Sequence, residues 1–147
     1  MRTKTESLYK NVGEVYCPYF KEKIRFNAKG LDHIKFKGWR KSRRIEDQYF
    51  RFKFLRLAPK VLQLSHTIQG LSSKQIFERQ HINSRWETRL VFVYYYEFVA
   101  ILDDIRIRVI VKQIQGGEKF FWSIIPFWKM DETTKLKLMH SGFPESD

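Results

Sequence analysis

Apolar residues in the middle of the chain recur with helical spacing. Between Arg43 and Leu64 they follow one another at intervals of four, three, four and three residues, which is the spacing of one helical face. Pro59 lies inside this segment, so we expect a kink there or the start of a second helix. The apolar positions are Phe50, Phe54, Leu57, Val61 and Leu64. Lys53, Arg56 and Lys60 follow one flank, so the segment is predicted to cover a core and to expose cations.

Later segments change to the composition of β-strands. Residues 89–102, 105–115 and 119–128 are rich in aromatic and β-branched side chains, as strands are. Asp103-Asp104 and Gly116-Gly117 separate these segments, and each pair suits a two-residue hairpin turn. Residues 75–82 fit a further strand or a short helix. We therefore predict an antiparallel meander of about four strands.

The first part of the chain predicts two short strands and a short helix. Residues 13–27 fit two extended segments joined by a turn at Cys17-Pro18, and residues 28–36 fit one or two helical turns. No repeat or linker interrupts the sequence. We predict one domain over residues 1–147, of the α+β class, with N-terminal helices packed on a C-terminal antiparallel β-sheet meander. Residues 129–147 form a polar tail.

The two predicted turns also determine which residues of the meander pair. The turn at 103–104 predicts the pairs Glu97–Ile110, Tyr95–Lys112 and Val99–Arg108. The turn at 116–117 predicts the pairs Lys112–Phe121, Ile110–Ser123 and Arg108–Ile125. Since side chains alternate between faces, one face is predicted to be core: Phe92, Tyr94, Tyr96, Phe98, Ile107, Val109, Val111, Phe120, Trp122 and Ile124. The other face gathers the polar residues Tyr95, Glu97, Arg106, Arg108, Lys112 and Ser123.

Charge is concentrated in the first half of the chain. The net charge is +12, and residues 1–73 hold 17 Lys and Arg against 6 Asp and Glu. Such a concentration attracts phosphate-bearing partners, which predicts RNA as the ligand. The predicted RNA-binding residues are Lys35, Lys37, Arg40, Arg43, Arg44, Tyr95 and Arg106. An acidic protein partner and a solvated face without function remain open, whereas aromatics spread along the chain argue against a membrane surface.

The remaining composition limits the class of protein. A hydrophobic content of 43% argues for a folded core,. The chain has no apolar run of roughly 18 residues and no signal-peptide core, so we expect a cytoplasmic protein without a membrane span. Cys17 is the single cysteine and cannot form an intramolecular disulfide. We expect neither a metal nor a cofactor.

The cations around Glu97 are typical of metal-free RNA cleavage. Such cleavage needs a base for the 2′-hydroxyl, cations for the phosphorane and an acid for the leaving 5′-oxygen. Glu97 can be the base, because Arg108 or Lys112 would keep it ionised. Arg106, Arg108 and Lys112 can clamp the phosphate, Ser123 can orient it, and Tyr95 can stack on a base. The alternative is that Glu97 is only one partner of a cross-strand ion pair.

Histidine is the natural candidate for the remaining acid or base, because its ordinary pKa is nearest to neutrality. His33 lies in the segment GLDHI, immediately before the basic stretch, and is the preferred candidate. A surface histidine on a short helix is the alternative. His66, His81 and His140 lie near loops or in the tail and are weaker candidates.

The order of these segments resembles a family of ribonucleases. GLDHI, the helix YFRFKFLRLAPKVL and the strands IRIRVIVKQ and FFWSIIP resemble small ribonuclease toxins of the barnase–EndoU–colicin–RelE-like (BECR) superfamily, in its phage- and mobile-element-associated branch. The resemblance covers about Val15 to Trp128. It implies helices on a four-stranded antiparallel sheet, cleavage of RNA without a metal, and a neutralising antitoxin or immunity protein. It assigns functional roles to His33, Arg51, Thr67, Lys112 and Ser123, and it assigns none to Glu97.

These patterns together predict a metal-independent, toxin-like endoribonuclease. Two other classes remain open: a non-catalytic RNA- or DNA-binding module, and an interaction domain that docks an acidic partner. Binding to nucleic acid would weaken steeply with salt, whereas an interface with an apolar centre would weaken less.

Overall fold

A computed structural model describes residues 2–38 and 41–127. The helices are α1 (Arg2–Val12), α2 (Ala28–Lys35), α3 (Ile45–Phe54) and α4 (Ala58–Leu64), with a 3-10 turn at Leu55–Leu57 between the last two. The strands are β1 (Glu14–Cys17), β2 (Glu22–Arg25), β3 (Phe36–Gly38), β4 (Lys41–Ser42), β5 (Gly70–Ile82), β6 (Arg85–Leu102), β7 (Ile105–Ile114) and β8 (Lys119–Phe127). The predicted α+β class is confirmed.

The main sheet has six strands in the order β1-β2-β8-β7-β6-β5. Strands β5 to β8 form the predicted antiparallel meander. The predicted sheet was too small, however, because the β1–β2 hairpin extends it beyond β8. Strand β2 runs parallel to β8 and pairs with it at Arg25 and Phe120, so the sheet is mixed. A separate two-stranded sheet consists of β3 and β4.

Local sequence signals determine where the helices begin. The Asn27 side chain accepts a hydrogen bond from the Gly30 amide at 3.2 Å and caps α2, as Asn commonly does. Pro59 lies in the first turn of α4, where its missing N–H costs nothing, so the predicted second helix is confirmed. Helix α1 was not predicted, and Tyr9 attaches it to the domain by donating a hydrogen bond to the Asn27 carbonyl at 2.5 Å.

The helices cover one face of the sheet and enclose the main core. Sheet residues of this core include Phe98, Val109 and Ile124. The helical apolar face supplies Phe54, Leu57 and Val61 to the same core. Two members of that predicted face lie elsewhere: Phe50 packs against a second cluster on the opposite face of the sheet, and Leu64, the last residue of α4, is 60% exposed.

The register of β6 and β7 is as predicted at all three pairs. Asp103 and Asp104 both have positive φ angles, which is typical of a two-residue type I′ turn. Between β7 and β8, the pairs Ile110–Ser123 and Arg108–Ile125 are also confirmed. The predicted pair of Lys112 with Phe121 is wrong, because Lys112 pairs with Phe120 across an irregularity at Ile110 and Val111.

This irregularity is a β-bulge in β8, and it corrects the predicted core face. Phe121 points into the main core, whereas Trp122 packs against the second cluster and Phe120 pairs with Lys112 of the opposite face. Phe92 was also predicted as core and is 43% exposed.

Among residues 2–38 and 41–127, no helix has the length and apolar character needed to cross a membrane. The predicted polar tail, residues 129–147, lies outside the described residues.

Candidate active site

Helix α2 holds His33 against the bulge of β8. The His33 side chain is buried, and its ring stacks on the indole of Trp122 with 4.0 Å between ring centres and 19° between planes. The helix can approach β8 closely because residue 30 is glycine. A Cβ at Gly30 would lie 2.3 Å from the carbonyl oxygen of Phe121.

Arg43 binds His33 through two groups. Its Nε donates to the His33 carbonyl at 2.7 Å, and its Nη2 lies 2.9 Å from His33 Nε2. A guanidinium can only donate hydrogen bonds, so Nε2 is the acceptor and carries no proton. We therefore assign a neutral imidazole with its hydrogen on Nδ1. Arg43 was predicted as a surface cation for RNA, and its burial instead makes it part of this site.

Arg51 connects α3 to the bulge. Its Nε donates to Asp47 Oδ1 at 2.5 Å, and its Nη1 donates to Ser123 Oγ at 2.6 Å and to the Ile124 carbonyl at 3.3 Å. Asp47 Oδ2 in turn accepts from Arg43 at 3.3 Å. His33, Arg43, Asp47, Arg51 and Ser123 thus form one chain of hydrogen bonds, which we call the polar network.

Lys112 reaches the same indole as His33. Its Nζ lies 3.9 Å from the centre of the Trp122 ring, so the ammonium and the His33 ring are separated by no more than their two distances to that ring. Burial lowers the pKa of Lys112 to about 8, Lys29 and Lys74 lower it further, and Glu78 raises it. This amine can therefore exchange its proton close to neutral pH.

Glu97 lies outside the polar network. Its Oε1 is 3.6 Å from Arg108 Nη1 on the neighbouring strand, and both side chains are about four-fifths buried. The register places the buried side chain of Ile110 between Glu97 and Ser123. The arrangement is the cross-strand ion pair that the sequence left as an alternative role for Glu97.

Thr67 also lies apart from the polar network. It is exposed in the loop after α4, and its Oγ1 accepts a hydrogen bond from Gln69 at 3.1 Å. Among the described residues, no reported hydrogen bond or ion pair joins Thr67 to His33, Arg51 or Ser123. The structure therefore brings together four of the five residues that the resemblance assigned, without Thr67.

The predicted RNA-binding residues are divided by their burial. Arg44 and Arg106 are exposed, whereas Lys35 is half-buried and forms an ion pair with Glu6 at 3.0 Å. Tyr95 is 1% exposed, so its ring is not presented to a base, and that expectation is corrected. The side chains of Lys37 and Arg40 lie outside the described residues.

Sequence reasoning missed Asp47 and assigned Trp122 to the wrong face. A signal for Asp47 was present, because Arg43, Asp47 and Arg51 are spaced four residues apart, which places them on one side of a helix. No comparable signal marked Trp122, since the bulge that turns it contains neither Gly nor Pro.

Among the described residues, no group of three or more His, Cys, Asp or Glu side chains is placed to hold a metal ion. Comparisons of the chain with protein-family models, with curated proteins and with solved structures found no match.

Proposed function

We propose that this protein is a metal-independent endoribonuclease whose reaction centre is the polar network together with Lys112. The supporting observation is the convergence of His33, Arg51, Ser123 and Lys112 around the bulge of β8. These residues come from three separate segments of the chain. Together they supply a neutral imidazole, charged guanidiniums, a hydroxyl and an amine of lowered pKa, which cleavage by 2′-hydroxyl attack requires.

In the proposed reaction, His33 Nε2 takes the proton of the 2′-hydroxyl, and the 2′-oxygen forms a bond to phosphorus. Arg43 and Arg51 then exchange part of their internal hydrogen bonds for the phosphorane oxygens, which guanidiniums bind in bidentate fashion. The bond from phosphorus to the 5′-oxygen breaks, and Lys112 gives its proton to that oxygen. The products are a 2′,3′-cyclic phosphate and a free 5′-hydroxyl.

Burial of the network favours a second candidate function. His33, Arg51, Lys112 and Ser123 are each at most 6% exposed, so an RNA phosphate reaches them only if the contacts around His33 open on binding. In the second candidate, the network only fixes α2 and α3 to the sheet. The protein is then a non-catalytic RNA-binding module that uses exposed cations such as Arg44 and Arg106.

Incubation of the purified protein with a 5′-labelled oligoribonucleotide in EDTA tests the proposal. The informative variant is His33→Gln, because a glutamine amide can still accept the hydrogen bond from Arg43 but cannot transfer a proton. His66→Gln is the matched control, since His66 is exposed and lies outside the network. We expect the wild type and His66→Gln to produce fragments ending in 2′,3′-cyclic phosphate, and His33→Gln to leave the RNA intact.

Each other outcome contradicts the proposal. If the wild type binds the oligonucleotide without cleaving it, the protein is the binding module of the second candidate. If folded His33→Gln cleaves within a few-fold of the wild type, His33 is not the base. Circular dichroism of both variants establishes that they remain folded.

A further inference from the structure

Strands β5 and β6 extend past the rest of the sheet as a two-stranded arm. Strand β7 pairs with β6 only from Val93 onwards, whereas β5 and β6 continue to pair as far as Ile82 and Arg85. Asn83 and Ser84, at the tip, both have positive φ angles, as a type I′ turn requires. We call residues 75–92 the arm.

One face of the arm is apolar and open. Phe77, Trp86, Leu90 and Phe92 are 76%, 61%, 53% and 43% exposed. The pairing of Phe77 with Leu90, and the strict alternation of side chains, place all four on the same face,. The opposite face of the arm is different, because its Val91 and Ile76 join the second core cluster. Exposed aromatic groups concentrated in this way mark a binding surface.

The charges on the open face all have one sign. The Arg79 guanidinium lies 5.2 Å from the centre of the Trp86 ring, and the His81 ring lies 5.0 Å from it. The two carboxylates of the arm, Glu78 and Glu87, alternate onto the other face, where Glu78 is opposite Arg89. The open face therefore offers aromatic rings and a guanidinium without any carboxylate among its described residues.

We propose that the open face of the arm binds single-stranded RNA by stacking unpaired bases on Phe77, Trp86 and Phe92. The choice of RNA as the polyanion rests on the proposed function. Aromatic rings on an exposed sheet surface, with arginine beside them, form the usual platform for unpaired bases. Successive side chains on one face of a strand recur about every 6.8 Å, so the rings offer separate stacking positions along the arm.

Charge complementarity favours RNA over a second copy of this chain. A dimer through the open face would bring together two surfaces that carry Arg79 and His81, with no carboxylate on either to pair with them. RNA supplies the missing negative charge through its phosphates and the aromatic partners through its bases.

The test is the affinity for a fluorescent 2′-O-methyl oligouridylate, measured by anisotropy in EDTA. This probe lacks the attacking hydroxyl, so binding is measured without cleavage. We expect the exchange of Phe77 and Trp86 for alanine to weaken binding by roughly tenfold or more for each ring. Ile101→Ala is the matched control, because Ile101 is 73% exposed on the same strand as Trp86 but outside the arm, and we expect its affinity to stay within twofold of wild type. Arg79→Gln should weaken binding and reduce the salt slope by about one.

The outcomes separate this inference from the proposed function. Arm variants that bind as the wild type does, or a wild type without affinity for the probe, overturn the inference even if ordinary RNA is cleaved. A wild type that dimerises through the arm, and whose RNA affinity does not depend on Phe77 or Trp86, also overturns it. A wild type that binds through the arm but leaves ordinary RNA intact overturns the proposed function and supports the inference.

Discussion

The buried amine of Lys112 predicts a particular dependence of stability on pH. Its pKa is lowered from 10.5 to about 8 in the folded protein, so between these values the unfolded chain binds more protons than the folded chain. The free energy of unfolding therefore rises with pH in this window. Lys112 destabilises the fold fully below about pH 8, and this penalty disappears above about pH 10.5.

The magnitude follows from the two pKa values. At 1.36 kcal/mol for each pH unit, the lowered pKa corresponds to roughly 3 kcal/mol. The indole of Trp122 acts in the opposite direction, because a cation–π contact in a desolvated site stabilises the charged amine by about 2 kcal/mol at most. We therefore expect a change of roughly 1.5–3 kcal/mol across the window.

Urea unfolding of the wild type and of Lys112→Met, followed by circular dichroism from neutral pH to about pH 10.5, measures this change. Methionine has a similar volume and no charge, so all other titrating groups cancel in the difference between the two proteins. At neutral pH, Lys112→Met is expected to be the more stable protein, and its advantage should shrink as the pH rises. Parallel curves for the two proteins would show that the amine carries no burial penalty and would refute the reasoning.

Four further predictions follow from the same geometry. If Lys112 acts as the acid, kcat/KM for RNA cleavage falls above about pH 8, and Lys112→Arg, which keeps its charge, should remove that decline from the pH profile. Glu97→Gln should cost at most about 1 kcal/mol in urea unfolding and change cleavage only a few-fold, whereas a loss of roughly a hundredfold or more would make Glu97 the base. Ser123→Ala should cost about 1–3 kcal/mol, because a buried guanidinium loses an acceptor at 2.6 Å,; an unchanged midpoint would contradict this. Gly30→Ala should cost about 1–3 kcal/mol or more, since its Cβ meets a backbone oxygen at 2.3 Å, and thermal unfolding would detect the loss.

Local patterns in the sequence were sufficient for most of the fold. The turn at Asp103-Asp104 was identifiable because two consecutive acidic residues that tolerate positive φ separate two strand-like segments,. That turn then determined the register of β6 and β7, and with it the pairing of Glu97, Tyr95 and Val99. The attachment of β2 to β8 could not be predicted in this way, because it joins segments about 95 residues apart through one pair and no turn links them.

The candidate site was harder to predict than the fold, because its geometry depends on contacts between distant segments. His33, Arg51 and Ser123 were selected through short motifs, and the hydrogen bonds through Arg43 and Asp47 connect them. Arg43 was selected as a surface cation, since charge counts along a sequence do not distinguish exposed guanidiniums from buried ones. Its burial beside Asp47 became apparent only when α2 and α3 were packed against β8.

The bulge in β8 determines the chemistry of this region more than any single charged residue does. In a regular strand, Trp122 and Ser123 would point to opposite faces, and the indole would enter the main core as the alternation predicted. The extra residue in β8 instead keeps Trp122 on the side where Lys112 and His33 reach it, while Ser123 still pairs with Ile110 and accepts from Arg51. Bulges commonly re-aim side chains next to active sites. Here the bulge explains why groups predicted from three separate motifs meet around one indole, and why alternation alone placed that indole on the wrong face.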